Sequence, residues 1–183
     1  RKAIEKGADG LIAVAAGAGG HTGAQSPFAL VQEIRQWFDG PLVLSGAIAS
    51  GAALLGAQAA GADFGYMGTP FIATTEANAP RAYQDMLCRA QAQDIVTTAA
   101  VTGVNGNYLS ESLTETGVDP GTTAALSLLG DKTKSGPKPW RDIWSAGQGV
   151  GSITDVVPTR DLIARIAREY DAALKRLSGK AAA

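Results

Sequence analysis

Gly10-Leu11-Ile12-Ala13-Val14 runs straight into Ala15-Ala16-Gly17-Ala18-Gly19-Gly20-His21-Thr22-Gly23, and that junction decides the fold. Apolar residues in an unbroken run, without polar alternation, read as a short strand buried on both faces. The glycine-dense loop after it leads into Ser26-Pro27-Phe28-Ala29-Leu30-Val31-Gln32-Glu33-Ile34-Arg35-Gln36-Trp37-Phe38. Here Ser26 is cap-like, Pro27 sits in the first turn, and Leu30, Ile34, Trp37 and Phe38 fall along one helical face. Gly40 and Pro41 end the helix.

The same unit recurs twice. Leu42-Val43-Leu44-Ser45 is followed by Gly46-Ala47-Ile48-Ala49-Ser50-Gly51 and a helix of small residues from Ala52 to Ala60. Phe64 to Met67 is followed by Gly68-Thr69-Pro70-Phe71 and polar residues leading to a helix over 79–93. Strand, loop and helix in succession over residues 1–94 imply α/β architecture with a parallel sheet. Ligands gather at the carboxyl ends of such strands, where all three glycine loops lie.

Beyond Asp94 the pattern changes. Ile95 to Val101 reads as one more strand, and residues 95–158, rich in Gly, Pro, Ser and Thr, as an irregular or helical capping region. Thr159 is expected to cap a long closing helix over 159–183, with Leu162, Ile163, Ile166, Tyr170, Leu174 and Leu177 as one apolar stripe and Lys180–Ala183 frayed. So few strands cannot close a barrel. Together with a start at Arg1 inside a helix, this favours a piece of a longer polypeptide, the absent strands lying upstream.

Composition narrows the partners. With 183 residues, 45% hydrophobic, the chain can bury a real core, and a net charge of −1 argues against nucleic acid. No apolar run is long enough for a membrane span. One cysteine, Cys88, excludes an internal disulfide and a multi-cysteine metal cluster; it reads as a buried structural thiol in a reducing, cytoplasmic setting. A homodimer stays open.

The chemistry points to the first loop. His21, the sole histidine, is the chain's only side chain suited to proton transfer near neutral pH, and the glycines around it let a flat or anionic ligand approach the backbone. A Rossmann fingerprint fails because Thr22 stands where its third glycine belongs and no acid ends the next strand; a P-loop is absent. A mononucleotide phosphate held in a barrel fits better. Ser45-Gly46-Ala47-Ile48 and Met67-Gly68-Thr69 follow consecutive strands, and with no Lys or Arg in either loop, backbone dipoles and hydroxyls would do the binding.

These stretches resemble the nitronate monooxygenases, also called 2-nitropropane dioxygenases. The likeness is carried by Val14–Gly23, Pro41–Gly51 and Gly61–Phe71, and extends to Thr102–Leu109 and Trp140–Gly149. It implies the C-terminal portion of an FMN-dependent (β/α)8 TIM barrel, with strands six to eight here and the flavin-contacting N-terminal part outside the chain. Ala18, Gly19, Gly20 and His21 would face the flavin ring. Gly46, Ala47, Gly68 and Thr69 would hold its phosphate beside Ser45 and Met67, with Gln148 in reach of the flavin. His21 would be catalytic, with nitronate and O2 as substrates giving a carbonyl compound and nitrite. Two departures stand out: Gly17 replaces a common acid, and Ala47 a common glycine, which preserves an N–H contact only if its φ is negative. Trp140 and Trp144 are expected to pack the cap, and Tyr108 to wall the pocket. A flavin-dependent enoyl-acyl-carrier-protein reductase, an NAD(P)H:quinone reductase and a non-catalytic barrel fragment remain as alternatives.

Overall fold

A computed structural model describes residues 1–122 and 136–181. After a short helix α1 (Lys2–Glu5), the chain forms β1 (Leu11–Val14), β2 (Gly20–His21), α2 (Pro27–Arg35), β3 (Leu42–Ser45), α3 (Gly51–Ala59) and β4 (Phe64–Tyr66). There follow α4 (Thr69–Ile72), α5 (Arg81–Arg89), β5 (Ile95–Thr98), β6 (Gly106–Leu109), α6 (Ser110–Glu115) and α7 (Thr159–Ala181). One sheet is parallel in the order β1-β3-β4, and a second has the order β2-β6-β5.

The parallel sheet is the expected one. Leu11 pairs with Leu42 and Val43 with Phe64, so one face carries Ala13, Leu42 and Leu44, packed with Val31, Ala57 and Ala62 beneath α2 and α3. The opposite face leaves Ile12 59%, Val14 43%, Phe64 60% and Tyr66 56% exposed. In a closed barrel that face is the packed interior. The fold is accordingly that of a partial α/β barrel.

Local chemistry sets the element ends. Ser50 Oγ accepts the Ala53 N–H at 3.2 Å and caps α3, whereas Ser26 makes no such bond and α2 relies on Pro27 in its first turn. Arg35 closes α2 onto the next strands. Its guanidinium donates to the Gly61, Phe38 and Gly40 carbonyls, and to Asp63 at 2.8 Å, while Asp63 also accepts the Leu42 N–H at 2.7 Å. The Leu42 N–H, with Arg35, holds the Asp63 carboxyl below its ordinary pKa.

Several expectations need correction. The helix placed over 79–93 is α5, Arg81–Arg89, because Ala90 turns extended and a 3₁₀ turn over Ala92–Asp94 follows. Thr159 does not cap α7 with its own side chain. Its N–H and hydroxyl both donate to the Glu76 carboxylate, at 2.9–3.1 Å, so the cap comes from another element. The stripe on α7 is only partly covered: Leu162 is buried, but Ile163 and Leu177 are about half exposed. Gly51 explains how closely α7 approaches α3, since a Cβ there would lie 2.1 Å from the Ile166 carbonyl oxygen. Helix α7 continues through Ala181; residues 182–183 of the expected frayed end lie outside the described residues.

Residues 95–158 hold their own apolar core rather than a thin irregular cover, with residues 123–135 of that stretch outside the described part. Ile95, Leu109, Val150 and Ile153 pack against Met86 and Leu87 of α5, while Val101, Tyr108, Leu113 and Ile143 form a neighbouring cluster. The extra strand after Asp94 is real but ends at Thr98. Its partner β6 is antiparallel, a pairing the Gly- and Thr-rich composition concealed. No helix among the described residues is long and apolar enough to cross a membrane.

Candidate functional site

The loops after β1, β3 and β4 open onto one cleft. Ala18, Gly19, Gly20, Ser45, Gly46, Ala47, Gly68 and Thr69 all line it, as the sequence led one to expect, together with Ile48, Ala49, Tyr66, Ile72 and Trp140. No charged side chain is among its lining residues. The two smaller glycine turns therefore face the same space, at the carboxyl ends of adjacent strands.

The cleft is tied together at one oxygen. The Gly17 carbonyl accepts from the Ala47 N–H at 3.1 Å and from the Gln148 N–H at 2.9 Å, joining the β1 loop, the β3 loop and the cap. Gly17 takes φ +86°, a left-handed conformation that glycine adopts without penalty. Ala47 takes φ +56°, which costs an L-residue about 1–2 kcal/mol. The condition placed on Ala47 fails, and its N–H is already committed to Gly17. The donors left for a ligand are others. The Ile48, Ala49 and Gly68 N–H groups find no protein acceptor among the described residues. Thr69 is buried; its Oγ1 accepts the Gly147 N–H at 2.9 Å, which leaves its hydroxyl proton for something in the cleft. Around Gly68 there is no atom within 4 Å of where a Cβ would stand, so a ligand can meet the bare backbone. Uncharged donors with no carboxylate nearby suit a phosphate.

His21 is exposed and not among the residues lining the cleft; it adjoins them in β2, next to Gly20, paired with Gly106 of β6. Its ring meets Trp140 edge-on at 5.4 Å between centroids, and its Nε2 lies 3.1 Å from Thr102 Oγ1. Trp140 therefore belongs to the site rather than only to the cap: it lines the cleft beside Gly20 and stacks on Tyr108 at 5.7 Å. Trp144 stacks on Tyr83 at 5.0 Å and packs against the cap core. Tyr108 is fully buried beneath Trp140 and is not a wall of the cleft. Met67 likewise packs against the sheet core. Gln148 joins the site through its backbone N–H, and its side chain, on an exposed residue, lies against Gly17.

Asn107 was missed by sequence reasoning. It is 1% exposed, donates from Nδ2 to the Ala18 carbonyl at 2.8 Å, and accepts from Thr97. A buried amide with both ends satisfied pins the glycine loop to β6. The one signal for it is a polar residue inside Gly106-Asn107-Tyr108-Leu109, which an unpredicted strand hid.

The nitronate monooxygenase family model matches residues 1–169. The chain belongs to that family. A nitronate monooxygenase of Paraburkholderia phytofirmans is 27% identical over 190 residues, covering 93% of this chain and 51% of the relative. Among solved structures, FabK from Thermotoga maritima superposes with TM-score 0.75 at 25% identity, covering 98% of this chain and 60% of its own. A nitroalkane oxidase from Streptomyces ansochromogenes gives TM-score 0.74 at 28% identity, covering 96% and 56%. The chain thus spans about half the length of the curated nitronate monooxygenase it matches. The family is one of oxidoreductases, and the neighbours are α/β barrels, in agreement with the parallel sheet.

Proposed function

We propose that this chain supplies the phosphate cradle and the proton-handling imidazole for the FMN-dependent oxidation of nitronates by O2 to carbonyl compounds and nitrite. One observation carries the reading. Unspent donors at Ile48, Ala49, Gly68 and Thr69 share an uncharged cleft with Gly19 and Gly20, and His21 adjoins it through Gly20 and Trp140. The family match and the nitroalkane oxidase neighbour support the choice of substrate.

The residues fit FMN. The amides of Ile48, Ala49 and Gly68 with the Thr69 hydroxyl would hold its phosphate, and Ala18, Gly19 and Gly20 would lie along its ring. When bound, the flavin supplies the electron acceptor that no side chain here can be. His21 takes the proton from the carbon bearing a neutral nitro group, or donates to the oxygens of the nitronate anion. Trp140 against it limits the ring's motion and narrows the approach.

In the flavin-loaded protein, His21→Ala should lower turnover of a neutral nitroalkane by about 10²–10⁴-fold while the flavin absorbance stays with the protein. Unchanged turnover would sink the assignment. The FabK likeness favours a second reading, NADH-dependent reduction of an enoyl thioester. Turnover of a crotonyl thioester with NADH, and none of a nitronate, would select it.

A further inference from the structure

The hydroxyl of Thr102 sits between two groups that compete for it. Its oxygen lies 3.1 Å from His21 Nε2 and 3.2 Å from the carbonyl oxygen of Val104. A threonine hydroxyl has one proton to give and two lone pairs to receive. Val104 offers only a carbonyl, so it can only accept. Both contacts are satisfied in one arrangement: Thr102 donates to Val104 and accepts from a proton on Nε2. If the hydroxyl instead donated to a bare Nε2, Val104 would lose its donor.

We propose that Thr102 is a positioning residue that holds His21 as its Nε2–H tautomer, leaving Nδ1 as the nitrogen that accepts a proton. Nδ1 makes no hydrogen bond to the described residues, so its lone pair is available. Thr102 reaches the ring from 81 positions away, on the connection between β5 and β6. The same connection sends the Asn105 carbonyl to the Thr22 N–H at 3.1 Å, so the imidazole is held from the side as well as along its strand. A neutral imidazole has two tautomers, and the bond at one nitrogen decides which atom does chemistry. This inference rests on His21 being the proton acceptor of the proposed oxidation, but the tautomer itself can be measured without any flavin.

Because His21 is the sole histidine, a protein labelled with ¹⁵N-histidine gives a single imidazole spin system. In the wild type with the imidazole neutral, the two nitrogen shifts should report Nε2 protonated and Nδ1 bare. Thr102→Val should move the Nε2 resonance toward that of a solvated ring and admit the other tautomer, while Thr102→Ser should retain the wild-type spectrum. In the flavin-loaded protein, Thr102→Val should lower kcat for a neutral nitroalkane roughly 10-fold with KM little changed, and Thr102→Ser should restore it. A protonated Nδ1 in the wild type, or a Thr102→Val spectrum and kcat equal to wild type, would overturn the proposal. The wild-type spectrum decides the tautomer even if Thr102→Val fails to fold. A fully active His21→Ala would remove the oxidation reading instead, and leave the tautomer result standing.

Discussion

The parallel sheet and the antiparallel sheet meet at one cleft, yet each is held in its own way. β1, β3 and β4 are apolar strands in sequence order, each followed by a short loop, and they bury Leu42, Leu44 and Val31 beneath their own helices. β5 and β6 pair within the cap's own apolar clusters, and the first loop with β2 is held to them by polar contacts over long separations, of which Asn107 to Ala18 is one and Thr102 to His21 another. The side of the cleft that carries the free amides is consequently a local product of strand ends. The imidazole side exists only once the cap has folded over the first loop.

That contrast can be broken at Leu42 first. It is fully buried in the parallel sheet, and Leu42→Ala should cost about 2–5 kcal/mol. The urea midpoint should fall, and both sheets should melt together. Separate transitions for tryptophans of the cap and for the sheet would show the two to be independent units.

A smaller effect is expected at Asn107. Asn107→Ala strands the buried Ala18 carbonyl, at a cost of about 1–3 kcal/mol. Its signature should be local. Amide exchange should quicken at Gly20 and His21 with little change in the parallel strands, and uniform quickening would contradict the division.

The smallest effect lies at the seam. The Thr159 N–H, together with the Thr75 and Thr159 hydroxyls, holds the Glu76 carboxyl below its ordinary pKa. A carboxylate depressed in the folded state contributes stability above its unfolded pKa and loses it as pH falls through the folded value. Urea midpoints should therefore drop on acidification below the usual glutamate range, and part of that drop should vanish in Glu76→Gln. An identical acid profile in the variant would mean that the cap of α7 contributes nothing measurable.

Much of this molecule was legible in its residues. The order of β1, β3 and β4 follows from apolar runs set between glycines, and the cleft lining from Gly19, Gly20, Gly46, Gly68 and Thr69, because strand ends and their loops are local matters. Other features were hidden because they depend on partners far along the chain. The positive φ of Ala47 comes from its bond to Gly17. Trp140 lines the cleft stacked on Tyr108 of β6, 32 positions earlier in the chain. Thr159 is capped by Glu76, which no spacing rule connects to it.

The sequence by itself determined the parallel β/α layers and the glycine loops at their carboxyl ends, since burial pattern and backbone freedom are properties of neighbouring residues. Only the tertiary structure decided which amides stay free, which aromatic ring lies against His21 and which hydroxyl meets its Nε2. Those outcomes depend on hydrogen bonds between segments tens of residues apart, whose partners become neighbours only when both cores have closed.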